Sequence, residues 1–89
     1  MKAVITVIGK DMTGIIARVS NICSENKINI TEATQSVLQD VFAMIMLVEM
    51  TSSQITCAEL SDKMDTLGKD MGLTIHVMQE NLFNSMHRI

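Results

Sequence analysis

The sequence has no proline, tryptophan or tyrosine, and only four glycines among its 89 residues. Because no stretch is rich in proline, glycine or serine, nothing indicates a linker, and we expect one small domain. The seven basic residues are scattered, and two phenylalanines are the only aromatic side chains that could stack on a base. Together with a formal net charge of −3, this composition excludes nucleic acid as an expected partner.

Long apolar runs are also missing. No stretch approaches the roughly 20 apolar residues that cross a bilayer, so no membrane association is expected. The N-terminus lacks the charged and then apolar pattern of a secretory signal. The only cysteines, Cys23 and Cys57, are fewer than a small disulfide-stapled secreted domain carries. We therefore expect a cytoplasmic protein with free thiols.

Residues that do chemistry are equally scarce. His76 and His87 are the only histidines, and neither has a cysteine or carboxylate at the spacing of a metal site. Ser20, Cys23 and Ser24 share a segment without a histidine nearby that could activate a nucleophile. We expect no catalytic residue, no metal and no cofactor, and a small enzyme is only a secondary alternative.

Apolar residues, in contrast, are abundant: they make up 47% of the chain and include nine methionines. A domain of this size buries only about 60–65% of its unfolded surface. Some of the apolar surface is therefore expected to lie between chains rather than inside one.

Hydrophobic periodicity predicts six elements in the order βαββαβ. Strands are predicted at 2–8, 28–38, 42–50 and 73–79, with helices from about 14 to 25 and from 56 to 72. Thr13 has a side chain suited to cap the first helix. The residues TCAE at 56–59 fit a capping box at the start of the second, in which Thr56 and Glu59 satisfy each other's backbone N–H groups.

This element order is that of an α+β, ferredoxin-like βαββαβ sandwich, with two helices on one face of a four-stranded antiparallel sheet. The first and third strands are the most apolar, which predicts spatial order 4-1-3-2. The third strand is apolar on both of its faces, and one face must point away from the helices. Such a patch typically marks an interface, so we expect a homodimer.

The loop GKDMTGI at 9–15 is the most informative segment. It has no cysteine for a soft metal, no arginine for phosphate, and the central strands carry only Phe42 for stacking on RNA. At the positive end of the first helix, the backbone N–H groups of Thr13, Gly14 and Ile15 suit a carboxylate, and Asp11 suits an ammonium. The alternative is an ordinary turn in which Gly14 lets the helix pack closely on the strand.

The segment VIGKDMTGIIARVSNICSENKINI, followed by TEATQ, resembles the first half of an ACT domain, with its loop of the form G-x-D-x-x-G-[IL] and the motif INI opening the second strand. The resemblance covers residues 1–80 and leaves 81–89 as a short tail with helical spacing. The ending FNSMHRI is similar to a group of stand-alone bacterial ACT-domain proteins, UPF0237. The ACT modules of the glycine cleavage system transcriptional repressor are similar as well.

The resemblance implies a non-enzymatic regulatory module that binds a small-molecule effector, most often an amino acid, at a dimer interface. The implied ligand-binding residues are Gly9, Asp11, Met12, Thr13, Gly14 and Ile15 in the loop, and Asn29 and Ile30 at the second strand. Because the sequence carries no enzyme or DNA-binding domain, a signal would have to reach a protein partner in trans. The alternative is a protein–protein adaptor that uses the apolar sheet face and binds no ligand.

Overall fold

The structure is a computed structural model that describes residues 2–10 and 14–80. The elements are β1 (Lys2–Gly9), α1 (Ile15–Glu25), β2 (Asn29–Leu38), β3 (Val41–Glu49), α2 (Cys57–Met71) and β4 (Thr74–Gln79). The predicted element order is confirmed, and each observed boundary lies within one residue of its prediction. The predicted tail at 81–89 and its helical spacing lie outside the described residues.

The four strands form one antiparallel sheet in the order β2-β3-β1-β4, as predicted. β1 and β3 are central and pair along their whole length, from Lys2 opposite Glu49 to Gly9 opposite Phe42. Central strands are buried from both sides by their neighbours, which is why the two most apolar segments take these places. β2 is an edge strand, and its residues are exposed except for Ile30, which is half-buried.

The core lies between one sheet face and the two helices. On β3, the alternate residues Phe42, Met44, Met46 and Val48 are at most 2% exposed, so this is the set that faces the helices. The remaining large core side chains come from β1 (Ile5, Val7), α1 (Ile15, Val19, Cys23) and α2 (Leu60, Met64). The two helices therefore cover one face of the sheet, and no other element of the described residues covers the opposite face.

The two helices begin differently. At α2 the predicted capping box is confirmed: the Glu59 N–H donates to Thr56 Oγ1 at 3.1 Å, and the Thr56 N–H donates to Glu59 Oε1 at 3.0 Å. At α1 the prediction that Thr13 is the N-cap is wrong, because Gly14 occupies that position with φ of 75°. No described side chain caps the α1 N-terminus.

Three glycines have distinct roles around these helix ends. A Cβ on Gly68 would lie 2.8 Å from the Leu73 carbonyl oxygen, and a Cβ on Gly9 would collide with the Leu73 side chain. These two glycines permit the close approach of α2 and β1 to the chain at Leu73. A Cβ on Gly14 would meet nothing within 4 Å. The alternative in which Gly14 allows close packing is therefore wrong, and its positive φ explains the glycine instead.

Candidate functional site

The start of α1 lies at the C-terminal end of the central strand β1. Gly9 and Gly14 stand on either side of the predicted binding loop, of which Asp11, Met12 and Thr13 lie outside the described residues. Ile15 is fully buried, so its side chain fixes the first turn of α1 in the core. Its backbone N–H, rather than its side chain, is the group that could meet a ligand.

Within the part of the chain that the structure describes, no acidic side chain compensates the charge of the α1 N-terminus. The first turn contains no acidic residue, and no described side chain accepts a hydrogen bond from it, whereas Glu59 and Thr56 serve the α2 N-terminus. The first N–H groups of a helix have no intrahelical acceptor and carry a partial positive charge. A Cβ at Gly14 would meet no described atom within 4 Å, and N–H groups at such a helix end suit an anionic group.

Asn29 and Ile30 lie at the opposite end of the sheet from this helix start. Asn29 pairs with Glu49, which pairs with Lys2, seven residues along β1 from Gly9. At about 3.3 Å per residue, that separation is about 23 Å. Within one chain, Asn29 and Ile30 therefore lie at the end of the sheet far from Gly9, the residue at which β1 ends before the loop.

The face of the sheet opposite the helices, here called the outer face, is apolar along its centre. β3 contributes Ala43, Ile45 and Leu47, which alternate along the strand with its buried side chains. Ile45 is 44% exposed, and Ile8 on the neighbouring strand is 42% exposed. Asn29 lies at a polar end of this face, in the row that it forms with Glu49 and Lys2.

The helical side has a feature that the sequence analysis missed. A groove of about 520 Å³ runs between α1 and α2, and an ion pair crosses one end, with Arg18 Nη2 3.0 Å from Asp70 Oδ2. The sequence does contain a charged residue one helical turn before an apolar residue in both helices: Arg18 and Ile22 in α1, and Lys63 and Leu67 in α2. Whether these residues line one groove depends on how α1 and α2 lie against each other, and the hydrophobic periodicity of either helix does not reveal that.

The cysteines are unsuited to nucleophilic chemistry. Burial in the core raises the pKa of the Cys23 thiol to about 11, and partial burial raises the pKa of the Cys57 thiol. Both are therefore neutral thiols near pH 7. Across residues 2–10 and 14–80, no group of histidine, cysteine or carboxylate side chains is arranged to hold a metal ion. Neither helix in these ranges combines the length and apolar content needed to cross a bilayer.

Comparison with known proteins agrees with the fold. The ACT domain profile matches residues 2–78. A UPF0237 protein of Clostridium acetobutylicum is 46% identical over 89 residues, the full length of both chains. An ACT domain protein from Streptococcus pneumoniae has a solved structure that matches with a TM-score of 0.81 at 32% identity, over 93% of each chain.

A solved structure described as a putative glycine cleavage system transcriptional repressor shares the fold, with a TM-score of 0.73 at 22% identity. The match covers 88% of this chain and 44% of that one. These comparisons confirm the resemblance drawn from the loop and the INI motif. The chain belongs to the ACT domain family, whose members are typically regulatory domains that bind small molecules.

Proposed function

We propose that this protein is a regulatory module that binds a small carboxylate-bearing effector, in the simplest case an amino acid, as a homodimer and without enzymatic activity. The observation that carries the proposal is the N-terminus of α1 at Gly14, which no side chain of the described residues caps. The proposed ligand-binding residues are those that the resemblance implies: Gly9, Asp11, Met12, Thr13, Gly14, Ile15, Asn29 and Ile30.

The chemistry of an amino acid matches the two charges available at this end. The first N–H groups of α1 would donate hydrogen bonds to the effector carboxylate, which would take the place of the side-chain cap that α2 has. Asp11 would pair with the effector ammonium. Charge-assisted hydrogen bonds of this kind are stronger than neutral ones, so two of them can select a zwitterion over a neutral molecule of the same size.

A second copy of the chain would complete the site. Asn29 lies about 23 Å from Gly9 in its own chain, at the opposite end of the sheet. In a two-fold dimer whose strands run in reverse over one another, the partner's Asn29 would lie at the Gly9 end. Its amide has both a donor and an acceptor for a polar effector. The apolar outer face supplies the surface for such a pair, and Asn29 lies on that face.

Regulation would follow from linkage. An effector that binds only the folded dimer stabilises it by mass action, so the dimer population reports the effector concentration. A protein partner that recognises the liganded dimer would receive the signal in trans. The expected location is the cytoplasm.

A thermal screen tests the proposal. At about 100 times its dissociation constant, a bound effector adds about 2.7 kcal/mol to the free energy of unfolding. For a domain of this size, we expect the matching amino acid to raise Tm by about 10 °C or more. Asp11→Asn should weaken binding about tenfold or more by removing the charged partner. Asp65→Asn, which removes the same charge from an exposed site on α2, is the matched control.

Mixed dimers test whether two chains share the site. Chains carrying Asp11→Asn and chains carrying Asn29→Ala are refolded together, and heterodimers are isolated through two different tags. If the partner's Asn29 completes the loop site, each heterodimer has one intact site and regains binding that neither homodimer shows. Absence of recovery would overturn the shared site. Failure of every amino acid to raise Tm would instead favour the adaptor, for which the apolar outer face is the supporting observation.

A further inference from the structure

We propose that the groove between α1 and α2 is a second binding site, for a small organic monocarboxylate with an apolar body. The groove lies on the helical side of the molecule, away from the outer face, and its Arg18 end is one turn from the start of α1. It extends from Arg18 and Asp70 at one end to Glu25 and Lys63 at the other. Its volume of about 520 Å³ is in the range of small-molecule sites.

The middle of the groove is apolar. Ile22 of α1 and Leu67 of α2 line it, and Leu67 is only 6% exposed. Lys63 and Asp70 are separated by seven residues of α2, which corresponds to about 10 Å along the helix axis. A ligand body that covers this stretch would displace water from apolar surface, which favours a hydrocarbon chain or a ring.

The two ends of the groove differ in whether they have a charged group available to bind a ligand. Arg18 and Asp70 neutralise each other at 3.0 Å. At the other end, the Asn21 amide donates to Glu25 Oε1 at 2.8 Å, and no carboxylate among the described residues pairs with Lys63. The Lys63 ammonium is therefore the group in the groove that is left for a ligand anion.

These features select the charge of the ligand. One carboxylate would pair with Lys63 while the apolar body lies over Ile22 and Leu67. A second negative charge at the far end would gain no partner, because Arg18 is already paired with Asp70, and an additional one near Lys63 would meet Glu25. Like charges at these distances oppose binding, so a monocarboxylate fits the groove better than a dicarboxylate or a phosphate ester.

An NMR titration with hexanoate tests the site. Hexanol and hexylamine serve as neutral and cationic probes of the same length. We expect hexanoate to shift the backbone amides of residues 18–26 and 63–70, and to bind at least about fivefold more tightly than hexanol. Shifts confined to the α1 N-terminus, or equal binding of the three probes, would overturn the proposal.

Two pairs of variants locate the interaction. Lys63→Gln should weaken hexanoate binding about tenfold, since a charged hydrogen-bond partner is lost. Lys69→Gln removes the same charge from an exposed position on α2 outside the groove and should change binding less than about twofold. Thr66→Trp should fill the groove and abolish binding, while Thr66→Ala should not. Equal losses within either pair would contradict the assignment.

The experiments can reject the groove site and the loop site independently of each other. Asp11→Asn should leave hexanoate binding in the groove unchanged, and Lys63→Gln should leave the amino-acid effect on Tm unchanged. A groove that responds to an amphipathic helical peptide but not to hexanoate would be a protein-docking surface, and that result would overturn the carboxylate site while leaving the loop site untouched.

Discussion

Replacing Phe42 by alanine should lower the free energy of unfolding by about 3–5 kcal/mol, which is the usual cost of removing a buried aromatic ring. Phe42 is 1% exposed and is the largest side chain of the core. Small domains have only about 5–15 kcal/mol of stability in total. The variant is therefore expected to lose a large part of its stability and to melt at least about 12 °C lower.

Val37 supplies the matched control. It is the β2 residue that pairs with Phe42, on the same side of the sheet, but it is 56% exposed. Val37→Ala should therefore cost less than about 1 kcal/mol. Urea unfolding followed by far-UV circular dichroism compares the two variants, since the chain has no tryptophan or tyrosine to report by fluorescence. Similar losses for both would contradict the placement of Phe42 in the core.

The burial of Phe42 also bears on function. A stacking platform for RNA needs an exposed ring on the open face of the sheet. Phe42 instead faces α1 and α2 and is 1% exposed, so its ring is not available as such a platform.

Elements and strand order were predictable because local patterns determine them. The capping box at Thr56 and Glu59, the alternation in β4 and the apolar content of β1 and β3 are all properties of neighbouring residues. The start of α1 was less predictable. Thr13 and Gly14 both suit an N-cap, and the choice between them depends on the left-handed backbone at Gly14.

The contacts of the glycines could not be predicted from the sequence. Gly9 and Gly68 are 59 positions apart in the chain, yet both lie against Leu73. No local pattern connects three residues from β1, α2 and the segment before β4. Close packing was one alternative for Gly14, but a Cβ there would meet no described atom within 4 Å, and its positive φ explains the glycine instead.

The candidate site was only partly predictable for a related reason. The family resemblance groups Gly9 and Asn29 as one site, because both belong to the same sequence motif. The pairing register separates them, since α1 carries the chain back along the sheet before β2 begins. A single chain therefore cannot place both residues around one small effector, and the second copy enters the proposal for a geometric reason.

Replacing Ile45 by lysine should dissociate the proposed homodimer. Ile45 lies at the centre of the apolar outer face, next to Thr6 and opposite Thr34 on β2. An unpaired ammonium buried in an apolar interface costs about 3 kcal/mol or more, so the dimer dissociation constant should rise about 100-fold or more. Sedimentation at micromolar concentration should change from twice the 9.9 kDa chain mass to the mass of a single chain.

Ile16→Lys is the control for charge, exposure and residue type. Ile16 is 45% exposed, against 44% for Ile45, but it lies on α1 on the other side of the sheet. This variant should remain dimeric. If Ile45→Lys remains a dimer, the outer face is not the interface. The same conclusion follows if both variants dissociate.

The same variants connect assembly with effector binding. If the partner's Asn29 completes each loop site, Ile45→Lys should lose the effect of the amino acid on Tm although its own loop is unaltered. Asp11→Asn should do the reverse, losing the ligand effect while remaining a dimer. An Ile45→Lys monomer that still binds the amino acid with unchanged affinity would place the whole site within one chain, and Asn29 would then have no part in it.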